Sequence, residues 1–118
     1  IRHYRRAIEI RPDAAGALNN LAWLLATSAE DDVRAPAAAL KLAKQLCEHT
    51  HNRSAKALDT LAVALAANGD FEPAVVASRK AIQLARSSEQ TEMANAMESR
   101  LRLFEQGKSF RENPAEVQ

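Results

Sequence analysis

Leu58-Asp59-Thr60-Leu61-Ala62-Val63-Ala64-Leu65-Ala66 decides the fold. Its frame, Leu-x-x-Leu-Ala-x-x-Leu-Ala, recurs upstream as Leu18-x-x-Leu21-Ala22-x-x-Leu25-Ala26. Apolar residues three and four apart share one face of an α-helix, so both stretches predict amphipathic helices of one design. A second frame alternates with the first: Ala7-Ile8-x-Ile10, Leu46-Cys47-x-His49 and Ala81-Ile82-x-Leu84. Two helix types in alternation predict a solenoid of helix pairs, in which each pair buries its apolar face on the next.

The punctuation between the frames sets the helix ends. Residues 1–11 predict a helix through Tyr4, Ala7, Ile8 and Arg11, ended by Pro12. Asp13 is placed to cap the next helix. Ser28 to Arg34 is a polar break with Glu30, Asp31 and Asp32. Pro36 suits a first helical turn, and Ala39, Leu40, Ala43, Leu46 and Cys47 follow as an apolar stripe. Thr50 to Arg53 reads as a turn. Asn68-Gly69 stops the fourth helix, and Asp70 is expected to cap a fifth through Leu84. Ser87 or Ser88 is expected to cap a sixth, with Met93, Met97, Leu101 and Phe104, closed by Gly107. Residues 108–118 read as a partly ordered tail.

Composition agrees. The 118 residues make one domain, and 47% hydrophobic with 26% charged residues predicts a folded, soluble chain. There are 25 Ala against 4% aromatics, which suits closely packed helices better than a β-sandwich. Gly 3 and Pro 4 leave too few turn residues for an all-β fold. The net charge of +1 gives no bulk attraction to nucleic acid or an anionic membrane. No apolar run approaches the roughly 20 residues that span a bilayer. A single Cys excludes an intrachain disulfide and fits a reducing, cytoplasmic setting. The chain begins at Ile1 in what reads as mid-helix, so it is expected to be a piece of a longer protein.

Leu58, Leu61, Ala62, Leu65, Gly69, Phe71, Ala74, Ala81 and Leu84 resemble, in order, the signature of the tetratricopeptide repeat (TPR) family. Tyr4, Ala7, Ile8, Ile10 and Pro12 resemble the end of a preceding repeat. Leu58 to Ala81 is 23 residues and Ala7 to Leu18 is 11, both as in the family. Leu18 to Leu46 is 28, five more than the family, and the excess falls in the Ser28–Ala37 loop. The run as a whole looks like the C-terminal end of bacterial TPR proteins. The resemblance implies an all-α solenoid of antiparallel helix pairs. Residues 1–12 would be helix B of a preceding repeat, 13–51 a repeat with a lengthened loop and 52–86 a second repeat. Residues 87–107 would be a capping helix and 108–118 a tail. Ala22, Ala62 and Ala81 fall where paired helices cross, where a larger side chain would push the backbones apart.

Nothing in the sequence assembles an active site, so neither an enzyme nor a cofactor is expected. Cys47, His49 and His51 have spacing open to a metal, but Cys47 takes the core position of Ile8 and Ile82, and no metal is expected. Gly16, Gly69 and Gly107 are isolated and form no phosphate loop. Two basic clusters, Arg2/His3/Arg5/Arg6 and Arg100/Arg102/Lys108/Arg111, read as solvated helix faces, without the aromatics that stack bases.

In TPR arrays the A helices line a concave groove that takes peptides or partner helices. The resemblance puts Asn19, Asn20, Trp23 and Thr27 on that face from one repeat, and Lys56, Asp59, Thr60 and Val63 from the next. Asn20 and Thr60 match a position where many peptide-binding TPRs, including O-linked GlcNAc transferases, carry Asn. An Asn amide there clamps a peptide backbone by donating and accepting together. Thr60 departs from that ladder. Asn19 and Trp23 replace the Lys/Asn pair with which other TPRs hold a terminal carboxylate. Trp23 reads either as an anchor in the groove or as packing around Tyr4. The expected function is binding of a peptide or partner protein, with no nucleic acid or membrane involved. Alternatives are a regulatory or docking segment of a larger enzyme, such as a TPR-bearing glycosyltransferase, or a purely structural cap. Residues 1–11 would leave an apolar stripe half covered, expected to pair weakly with a second copy or to fray.

Overall fold

The leucine–alanine frames fold as helices and define an all-α chain. The computed structural model describes residues 14–30 and 33–111, and no strand occurs among them. The expected helix over 1–11, its pairing with a second copy and the Asp13 cap lie outside the described residues. The helices are α1 (Ala15–Thr27), α2 (Pro36–His49), α3 (Ala55–Ala67), α4 (Phe71–Ser87) and α5 (Thr91–Glu105).

Pro36 opens α2 in its first turn, where its missing N–H costs no helical bond. Ser54 caps α3, its hydroxyl accepting from the Ala57 N–H at 3.1 Å. Two expected caps are corrected. Asp70 stands at the N-cap of α4 without a side-chain capping bond. Ser87 and Ser88 belong to the end of α4, their hydroxyls donating back to the carbonyls of Gln83 and Leu84, and the N-cap of α5 is Gln90. The serines make this bond because a hydroxyl in a last turn finds a carbonyl four residues back.

Four helices close with the same geometry. An N–H just beyond each helix donates to a carbonyl five residues earlier: Asn52 to Cys47, Asp70 to Leu65, Gln90 to Ala85 and Lys108 to Leu103, at 2.8–2.9 Å. The residue before each donor has positive φ: His51, Gly69, Glu89 and Gly107. Gly69 and Gly107 reach it freely, whereas Glu89 at φ 61° does so against a steric cost of roughly 1–2 kcal/mol. The long loop after α1 is tethered. Ala35 N–H donates to Leu25 C=O at 2.8 Å, and the Asn68 side chain donates to Pro36 C=O at 2.9 Å.

Two core clusters give the helix directions. Leu18 and Ala22 of α1 share one cluster with Leu42, Leu46 and Cys47 of α2, while Ala26 shares the other with Ala39 and Ala43. Early α1 therefore meets late α2, an antiparallel pair. The same reversal joins α3 to α4 through Leu58 with Ala81 and Ala85, then Ala62 with Ala74 and Ala77. It joins α4 to α5 through Ala81 with Met97, then Ala77 with Phe104. α3 also packs on α1 and touches α5. The five described helices form a nearly isotropic body, 34 × 33 × 29 Å.

Ala22, Ala62 and Ala81 are 0% exposed, as expected for residues at crossings. Ala62→Leu should therefore lower stability by about 1–3 kcal/mol through overpacking. An unchanged midpoint in thermal or urea unfolding would show that the crossing has room for a larger side chain.

Candidate functional site

α1, α3 and α5 together wall a cavity of about 270 Å³. α1 contributes Asn19, Asn20 and Trp23, α3 contributes Lys56, Asp59 and Thr60, and α5 contributes Met93 and Met97. A second cavity of about 180 Å³ shares Asn19, Asn20 and Lys56 and runs toward Gly16 and Ser54. Asn20 and Lys56 are exposed. Asn19 is half-buried, and its Oδ1 is fully covered with no hydrogen-bond partner among the described residues.

Of the groove residues expected from the sequence, Thr27 and Val63 lie outside this cavity. Thr27 is 1% exposed, and its hydroxyl donates to the Trp23 carbonyl at 2.8 Å. Steps of four residues drift roughly 40° around a helix, so the row Asn19–Trp23–Thr27 turns from the groove into the core. Val63 is 0% exposed and lies in the same cluster as Phe104, which α5 brings over α3.

Asp59 and Arg100 form an ion pair across α3 and α5. Nη2 donates to Oδ2 at 2.8 Å and Nε to Oδ1 at 3.4 Å, with the side chains 9% and 14% exposed. Burial pushes the Asp59 carboxyl above the usual carboxylate range, and the Arg100 charge and hydrogen bond pull it partly back. The guanidinium also lies over two rings, with Cζ 5.0 Å from the Trp23 centroid and 5.4 Å from that of Phe110. Those rings are themselves 5.8 Å apart and tilted by 53°. Trp23, Arg100, Asp59 and Phe110 thus form one connected cluster over α1, α3 and α5. Of the two readings of Trp23, packing around Tyr4 lies outside the described residues.

This corrects the second basic cluster as a solvated face. Arg102 and Lys108 are exposed, but Arg100 is half-buried in the ion pair. Arg111 Nη2 donates to the carbonyls of Ser28 and Ala29 at 3.4 and 3.5 Å. The signal for Arg100 is in the sequence: it falls three residues after Met97 and four before Phe104, on the buried stripe of its helix. A cation on such a stripe needs a buried partner. Phe110 has no periodic neighbours, and only its being aromatic within a polar stretch marks it.

Cys47 is buried in the core, and burial pushes its thiol up to about 11 against the lowering effect of Lys80. His49 and His51 are exposed. Among the described residues no group of three or more His, Cys, Asp or Glu is placed to hold a metal, and no helix is long and apolar enough to cross a membrane.

No family model, curated protein or solved structure matches the chain.

Proposed function

We propose that the chain is a protein-interaction module of the TPR kind, with the α1/α3/α5 face as the surface for a peptide or partner protein. One observation carries this reading. Six of the eight residues that the resemblance puts on the groove face, Asn19, Asn20, Trp23, Lys56, Asp59 and Thr60, line one cavity with Met93 and Met97. Exposed amide and ammonium groups beside an aromatic and the half-buried Met93 suit an extended peptide: polar groups take its backbone, and soft apolar groups take a side chain.

A structural cap is the second reading, and Arg100 and Phe110 packed on Trp23 favour it, because they fill part of the face. A random-peptide display library selected on the intact chain separates the two. A binding groove yields peptides that lose about 1–3 kcal/mol on Asn20→Ala, since a backbone group is left without its partner. Asn20→Ala combined with Trp23→Ala should abolish binding, and Arg102→Ala should leave it unchanged. No selectable peptide, or equal losses at all three positions, supports the cap.

A further inference from the structure

We infer that Ser109-Phe110-Arg111 is a ligand of the groove carried by the chain itself, and that it holds a subsite for an aromatic residue followed by a basic one. The inference rests on the groove reading above. Gly107 at φ 72° turns the backbone off the end of α5, and the Lys108 N–H closes the helix on Leu103. Two residues later Phe110 lies against Trp23 and under the Arg100 guanidinium. Arg111 then reaches across to the carbonyls of Ser28 and Ala29, in the turn just beyond α1. The segment has no regular secondary structure, and Ser109 and Phe110 stay half-buried. These contacts come from side chains meeting a preformed face, as an extended peptide makes them in trans. The Trp23 and Arg100 surfaces select the aromatic ring, and the two carbonyls select the cation. The 270 Å³ cavity beside Trp23, with Asn19, Asn20 and Lys56, continues the same track. A partner therefore brings an aromatic–basic pair and displaces residues 109–111 to seat it.

The test needs no natural partner. Trp23 is the only Trp, so its fluorescence reports the subsite. The probe is a synthetic peptide of residues 107–113, titrated into the full chain and into the full chain carrying Phe110→Ala. A tethered segment competes at an effective concentration of about millimolar, so the peptide should bind the variant roughly 10- to 100-fold more tightly. The peptide with its own Phe replaced by Ala should not bind. If circular dichroism shows that Phe110→Ala disturbs the helices, Arg111→Glu carries the test instead. It leaves the aromatic contact in place, and a several-fold tightening is expected. Equal affinity for the unaltered and opened chains, or no binding to either, overturns the inference. Library peptides that depend on Asn20 while residues 107–113 fail to bind would leave the groove reading standing and remove only this one. Binding of residues 107–113 to the opened chain without any Asn20-dependent library peptide would do the reverse.

Discussion

Arg100→Met should cost about 3 kcal/mol of folding stability, and adding Asp59→Leu should return the chain to within about 1 kcal/mol of the original. Removing the guanidinium leaves a carboxylate 9% exposed with its nearest cation gone. Removing both charges and filling the space with apolar side chains leaves nothing to desolvate. The titration of Asp59 gives a second readout. Its folded-state value is raised, chiefly by burial. A group that holds its proton more tightly folded than unfolded contributes most below its unfolded value. It loses that contribution as pH rises through the folded value. Without Arg100 the value rises further, so Arg100→Met should be most damaging above that folded value and progressively milder as pH falls toward the ordinary Asp range. Urea unfolding of the two single variants and the double variant across pH measures both effects. Additive losses, or a cost independent of pH, would show that the pair is held in water and not in the protein.

The second large effect belongs to Phe104. Its ring is 1% exposed and shares a core cluster with Ala62, Val63 and Leu65 of α3 and Ala74 and Ala77 of α4, with Phe71 and Val75 partly buried against it. Phe104→Ala should cost about 4 kcal/mol, toward the upper part of what such truncations cost. Around a truncated leucine in an ordinary core, longer neighbours swing into the space. Here most of the fully buried members of the cluster are alanines, which have no side-chain atoms to swing, so relaxation is left to a few residues such as Leu65, Phe71 and Val75 and the gap closes only in part. Phe104→Leu should recover more than half of the loss in the same unfolding measurement. A loss below about 1 kcal/mol for the alanine variant would mean that α5 re-docks on the smaller residue.

How much of this was legible follows from what each signal depends on. Helix identity and order depend on local period, and Leu58–Ala66 with its copy Leu18–Ala26 states that period twice. Helix stops depend on backbone conformation, and Gly69 and Gly107 announce it. Glu89 adopts the same conformation with no announcement, so local sequence points to the serines for the α4–α5 junction, which lies at Gln90. The cavity lining was legible in the first turns of α1 and lost at Thr27, where helical drift carries the row inward. Arg100–Asp59 depends on two positions 41 residues apart, which no local pattern relates. The Phe110 contact depends on where a non-helical segment comes to rest, and that is set by surfaces assembled from three other helices.

Arg111 and Ser28 are 83 residues apart, whereas each helix packs on the next or the next but one. Contacts between neighbouring helices close only short loops and so form fast. The contact from Arg111 back to the turn after α1 closes a loop around nearly all the described helices. Closing it costs far less entropy once the intervening helices are in place. It therefore forms last and opens first, and its opening releases α1, at one end of the described stack, from its tie to the segment beyond α5. The segment is a clasp: among the described residues it fastens the first helix to the segment that follows the last.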